Sequence, residues 1–257
     1  MLTKKIKWDF WTVVTLVITL IFALFLIYPL FSLLLSSFKD PLTGSWSMTN
    51  FHRFFSRKYY YQGFIYSFQV TSCVTVLAIV IGVPMAYFMT FYKVKFKALV
   101  EVLIIISMLS PPFIGAYSWV LLCGRSGVVT TFFREVLHIN LPTIYGFSGI
   151  LLVFTLKLYP FIFLYVSGAL KKIDVALSEA AESLGCSTFK KVYTIIMPLI
   201  LPTLMSGALL VFMNAMADFG TPMLIGEGYN VMPVLIYSEF VGEMGGSADF
   251  AAAPATI

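Results

Sequence analysis

The stretch KKIDVALSEAAESLGCSTFKKVYTIIMP, Lys171 to Pro198, stands between two long apolar segments and decides how the chain is read. It is too polar to lie in lipid and too well patterned to be slack. After Lys171 and Lys172, apolar residues fall at Ile173, Ala176, Leu177, Ala180, Ala181 and Leu184 among good helix formers, the spacing of a short amphipathic helix. Gly185 follows the last apolar position, where a helix end often needs a left-handed residue, and Ser187 is placed to cap a second helix starting near Thr188. Two short helices joined by a kink make a rigid knob. Small Ala180 and Ala181 let another backbone come close, and Glu179 and Glu182 put charge on its face or rim. The plainer alternative is a solvated connector lying on the membrane surface.

The knob sits in an apolar chain. Its 257 residues are 60% hydrophobic and 11% charged, where a soluble domain has roughly half and a quarter. The expected fold is an all-α membrane protein, a polytopic helical bundle. At about 20 apolar residues per span, the sequence predicts helices near 10–36, 64–91, 99–122, 143–169 and 199–219. A sixth begins near Ser247, and by Ile257 it reaches only about half of a ~30 Å hydrocarbon core, so the chain reads as five full spans plus the start of a sixth. Residues 1–62 form an amino-terminal tail, first helix and outer loop; residues 63–257 form the core, with the knob at 171–198.

Basic residues set the orientation. Ten Lys and Arg fall on one side: Lys4, Lys5 and Lys7 in the amino tail, Lys93, Lys95 and Lys97 in the next loop, and Lys171, Lys172, Lys190 and Lys191 in the knob. The other side carries six, namely Lys39, Arg53, Arg57, Lys58, Arg125 and Arg134. The excess predicts that the amino terminus and the knob are cytoplasmic, and that Glu227, Glu239 and Glu243 are outside. Because these charges flank apolar runs, the net charge of +5 reads as topology, and no nucleic-acid partner is expected.

Other chemistry finds little support. Cys73, Cys123 and Cys186 are scattered without ligand spacing, and His52 and His138 have no second ligand nearby, so no disulfide or metal site is expected. No H-E-x-x-H occurs and no nucleophile, base and orienter stand in pattern, so no catalytic residue is assigned. No Gly is followed by Lys, which excludes a P-loop of the form G-x4-G-K-[ST]; the chain is expected to carry no cofactor, and if its work is driven by ATP, the nucleotide and its Mg bind a separate partner.

Glu179-Ala180-Ala181, Gly185, Ile195 and Pro198 match the spacing E-A-A-x3-G-x9-I-x-L-P, with Met197 in place of Leu. The knob thereby resembles the coupling loop of ABC importer permeases of type I. Tyr28-Pro29-Leu30 and Gly82-Val83-Pro84-Met85-Ala86-Tyr87 look like the permease's first two helices, and Ser110 to Val129, Leu156 to Leu170 and Met216 to Gly226 are similar to the ferric-iron branch. The resemblance implies a multi-pass subunit of a prokaryotic plasma membrane, paired with ABC ATPases, a second permease half and an extracytoplasmic binding protein. It also implies ferric iron as cargo, with polyamine, thiamine, phosphonate or another small solute as alternatives. In that branch two six-helix halves often share one polypeptide, and this chain is similar to a first half. A secondary transporter or channel, and a truncated remnant that docks partners without transporting, remain as competing readings.

Two ionisable residues are pathway candidates. Lys157 falls near the middle of the fourth span, where an unpaired ammonium costs ~2.5 to 3.5 kcal/mol. It either lines a pathway or locks helices through Asp218 or Glu101, or it snorkels to an interface. Asp218 is placed at the outer end of the fifth helix, either meeting a cationic substrate or capping a helix end. Trp46, Tyr117, Trp119 and Tyr59 to Tyr61 suit an interfacial aromatic belt.

Overall fold

The computed structural model describes residues 9–40, 43–174, 176–177, 181, 183, 185–242 and 248–257, with backbone alone at 248 and 249. The amino-tail lysines, Glu179, Ala180, Glu182, Glu243 and Ser247 lie outside the described residues. Among those described there is no strand, only an isolated bridge between Lys39 and Trp46. Among the described residues, five helical stretches are long and apolar enough to cross a membrane: Phe10–Ser37, Lys58–Phe91, Pro112–Glu135, Phe147–Leu170 and Thr188–Ala217. The all-α, multi-pass membrane fold expected from composition is the fold observed.

The helices are α1 (Phe10–Ser37), α2 (Thr49–Ser56), α3 (Lys58–Phe91), α4 (Lys97–Met108), α5 (Pro112–Cys123), α6 (Val128–Glu135), α7 (Phe147–Leu170), α8 (Thr188–Ala217), α9 (Gly220–Ile225), α10 (Met232–Val241) and α11 (Ala248–Thr256). Two compact units result, one up to Tyr61 together with Ile236–Ile257, the other Gln62–Leu235. In the first, no residue of Phe10–Phe22 is buried, as a lipid-facing helix requires. Its small core gathers where Asn50 donates to the carbonyls of Ser37 and Lys39 at 3.2 and 2.7 Å, Tyr60 donates to Glu239 Oε1 at 2.6 Å, and the Arg53 guanidinium lies 4.3 Å over the Phe250 ring.

In the second unit α7 is central, packed against α8, α4 and α9. Ile150, Phe154, Ile162, Phe163 and Val166 are buried there with Val70, Val74 and Ala78 of α3 and Ile200 and Val211 of α8. Lipid is as apolar as these side chains, so close packing holds the helices together rather than escape from water. Gly82 permits that closeness: a Cβ at this position would stand 2.8 Å from Ile162 Cβ and 3.0 Å from the Tyr159 carbonyl oxygen.

The structure differs from the sequence reading in three places. The helix expected over 99–122 breaks between Met108 and Pro112, because Pro111 is extended (ψ 144°) and lacks an N–H, and the residue before a proline avoids the α region. The second short helix of the knob is not separate but runs into the fifth span. Its Val192–Ile196 turn is a π-turn closed by the Met197 N–H on the Val192 carbonyl, which lets Pro198 enter without meeting the preceding turn. The same device precedes Pro29, where the Tyr28 N–H bonds the Ala23 carbonyl. Lastly, the fifth span ends at Ala217, and the stretch expected as an outer loop contains α9 and α10.

Candidate functional site

Two interruptions of helical backbone meet in the second unit, one between α4 and α5 and the other at Asp218-Phe219 between α8 and α9. They are close neighbours, since a Cβ on Gly220 would stand 3.2 Å from Pro112 Cβ. Beside them is a cavity of about 150 Å³ whose lining includes Ser107, Ser110, Trp119, Lys157 and Thr221. Irregular backbone at membrane depth is tolerated where protein buries it or a cavity admits water. Hydroxyls from one break, a threonine from the other and the ammonium of α7 supply the polar partners.

Lys157 and Asp218, far apart in sequence, come together here: Lys157 Nζ donates to Asp218 Oδ2 at 2.7 Å. The side chains are 20% and 8% exposed, so the carboxylate is the more buried partner. Asp218 Oδ1 also accepts from the Thr221 N–H at 3.1 Å, and the Thr221 hydroxyl stands 3.5 Å from Oδ2. Of the two partners proposed for Lys157, Asp218 is the one found. Of the two readings offered for Asp218, the helix anchor is the one seen: Asp218 is the C-cap of α8, at the end of the fifth span, and its carboxylate holds the start of α9. Lys157 is about 15 Å along α7 from Phe147, and the far end of α9 reaches the start of α7, with Gly146 N–H donating to the Ile225 carbonyl at 2.8 Å. The carboxylate therefore sits inside the bundle, between two helical segments, already matched by a cation. Trp119 forms part of the cavity wall.

Of the knob, the described residues show a left-handed turn at Gly185 and a capped helix start after it. Asp174 Oδ1 accepts from the Ala176 N–H at 2.9 Å. Gly185 has φ +75°, and around it the Cys186 N–H donates to the Ala181 carbonyl at 3.0 Å, the long bond of a Schellman stop. Ala181 is buried, and among the described residues nothing beyond the chain neighbours lies within 4 Å of a Cβ placed on Gly185. Ser187 is extended and its side chain accepts from the Lys190 N–H at 3.4 Å, starting α8 at Thr188. Ile195 is half-buried in the π-turn, Ile196 points into the core, and Pro198 is exposed.

Several contacts had no readable signal, since they join residues with no shared motif. Arg125 and Glu227 form an exposed ion pair, with the Arg125 guanidinium 5.2 Å over the Tyr145 ring. Tyr229 stacks on Tyr66 at 4.1 Å and donates to Gln69 Oε1 at 2.9 Å. Burial, with Tyr66 and Cys73 adding to it, pushes the Tyr229 hydroxyl up to about 12. The Ser67 hydroxyl accepts from the Met232 N–H at 2.7 Å, fixing the start of α10. Among the described residues, no three His, Cys, Asp or Glu side chains gather as metal ligands.

Comparison with known proteins fits this geometry. Residues 78–256 match the family described as binding-protein-dependent transport system inner membrane component. A ferric transport system permease protein of Actinobacillus pleuropneumoniae is 29% identical over 227 residues, 88% of this chain and 33% of that protein. A spermidine/putrescine transport system permease protein of Haemophilus influenzae is 30% identical over 179 residues, 68% of this chain and 62% of that protein. The chain thus spans about a third of the length of the ferric relatives it matches. A crystal structure of a bacterial ABC transporter involved in import of the acidic polysaccharide alginate superposes with a TM-score of 0.74 at 19% identity, covering 96% of this chain and 89% of that one. That likeness shows the fold.

Proposed function

Since the chain belongs to the binding-protein-dependent transport system inner membrane component family, we propose that it is the permease subunit of an ATP-driven importer. It forms part of the substrate pathway and receives energy from a separate ATPase through the knob at 171–198. The observation that carries this reading is the knob's construction: a helix stopped at left-handed Gly185, then a capped helix continuous with a membrane span. A push on such an element is transmitted along α8 to the Asp218 break instead of being lost in a flexible loop. The Lys157–Asp218 pair joins α7 to that break, so movement of α8 reaches the cavity. The chain has no Gly-Lys pair with which to build a P-loop, so ATP and Mg belong to the partner. A second permease half and an extracytoplasmic binding protein complete the assembly, with the basic end of the bundle and the amino terminus in the cytoplasm.

Ferric iron is the proposed cargo, supported by the ferric relative's match over 88% of the chain. A polyamine is the second reading, supported by the spermidine/putrescine relative at 30% identity. Uptake of radiolabelled ferric iron and of spermidine, measured in a strain lacking the gene and in the same strain complemented, separates them. Restored, ATP-dependent iron uptake supports the first reading. Restored spermidine uptake with no change in iron supports the second, and uptake of either that persists without an ATPase overturns the importer assignment.

A further inference from the structure

At one end of the second unit, where α3 and α7 finish and α8 begins, lies a groove of about 500 Å³. Its lining is almost wholly apolar, with Val83 and Phe88 from α3, Leu170 from α7, and Phe189, Val192 and Ile200 from α8. From Thr188 to Ile200 the groove follows about 18 Å of helix, close to the ~15 Å that one leaflet contributes to a ~30 Å hydrocarbon core. Phe189, at 83% exposed, and Phe88, at 55%, stand at its rim.

The charge at this end identifies the occupant. Lys171 directly follows Leu170, Lys190 directly follows Phe189, and Lys93 and Lys95 come just after the end of α3; all four are exposed. Residues 92–98 and 170–198 together hold seven lysines against Asp174, Glu179 and Glu182. A second copy of this chain docked on the groove by the same face would bring like charges together. An anionic phospholipid would neutralise them, since basic residues beside a membrane groove attract acidic headgroups. We propose that the groove holds one acyl chain of an anionic phospholipid from the surrounding bilayer, with its phosphate between Lys171 and Lys190.

The test is native mass spectrometry of the delipidated full chain in detergent, titrated with phosphatidylglycerol or with phosphatidylcholine of the same acyl chains. Wild type should retain phosphatidylglycerol about tenfold more tightly than phosphatidylcholine, and Lys171→Gln/Lys190→Gln, both on the surface, should abolish that preference. Met197→Trp, which fills the groove, should lower retention of both lipids; circular dichroism establishes that this variant is folded. Equal retention of the two lipids by wild type, or a preference unchanged by the double lysine variant, overturns the proposal. So does a dimer of the chain that lipid does not displace, which would make the groove an interface between copies.

Discussion

Removing Lys157 isolates a carboxylate inside the bundle, and the size of the penalty follows from what remains around it. In Lys157→Met, Asp218 at 8% exposed loses its ammonium and keeps the Thr221 N–H and hydroxyl. Breaking a buried pair from one side costs ~3 to 5 kcal/mol, and the two remaining bonds place this case at the lower end, about 3 kcal/mol. Asp218→Asn is milder at about 1.5 kcal/mol, because an amide still accepts a hydrogen bond and the ammonium has the cavity beside it. With both changed no charge is left unpaired, and the double variant should fall within about 1 kcal/mol of wild type, a coupling of roughly 3 kcal/mol or more. Thermal unfolding in one detergent reads this out: at ~2 to 4 °C per kcal/mol, Lys157→Met should melt about 6 to 12 °C below wild type, with the double variant largely restored. If the double variant melts as low as the summed single effects, the pair is not the lock between α7 and the α8–α9 break, and the reasoning fails.

Three further outcomes follow. Gly185→Val should weaken association with the partner ATPase without preventing membrane insertion, because φ +75° is strongly disfavoured for a β-branched residue; unchanged co-purification would contradict this. In a background lacking native cysteines, cysteine at Lys95 or Ala180 should react only from the cytoplasm and cysteine at Ser56 or Asn230 from outside; labelling at 180 by an impermeant reagent in intact cells would overturn the orientation. Tyr229 keeps its proton in the fold up to about pH 12, while in the unfolded chain it ionises near 10. Its stabilising share is complete below pH 10 and is lost as pH rises toward 12, so Tyr229→Phe should unfold less steeply over that window, and identical alkaline profiles would count against the burial argument.

What the sequence made legible was whatever depends on short-range pattern. Apolar length marked the spans, the residue after the last apolar position marked Gly185 as a left-handed stop, and Ser187 announced the start of α8. The breaks were harder, although their signals were present. Pro111-Pro112 lies within a run apolar enough to pass as one helix, and only the restriction on residues around proline argues for an interruption. The π-turns before Pro29 and Pro198 keep the helix continuous where proline alone suggests an end. Asp218 was singled out by its charge, but the helix that it starts went unread because α9, six residues long, carries no periodicity that a sequence window can detect. Its partnership with Lys157 and the stacking of Tyr229 on Tyr66 are products of tertiary packing, and no spacing rule connects residues so distant in the chain.

The central claim is that the knob is the surface through which a separate ATPase drives this chain, and Glu179 is the residue expected to anchor it. A carboxylate accepts bidentate hydrogen bonds from arginine, and partly desolvated bonds of this kind contribute roughly 1.5 to 3 kcal/mol. The direct measurement is binding of the cognate ATPase to wild type, Glu179→Gln and Glu182→Gln in nanodiscs. A loss of about ten- to a hundredfold for Glu179→Gln, with a smaller one for Glu182→Gln, is the predicted result. Equal and negligible effects of the two substitutions, as expected of charges that only keep a loop soluble, would contradict it.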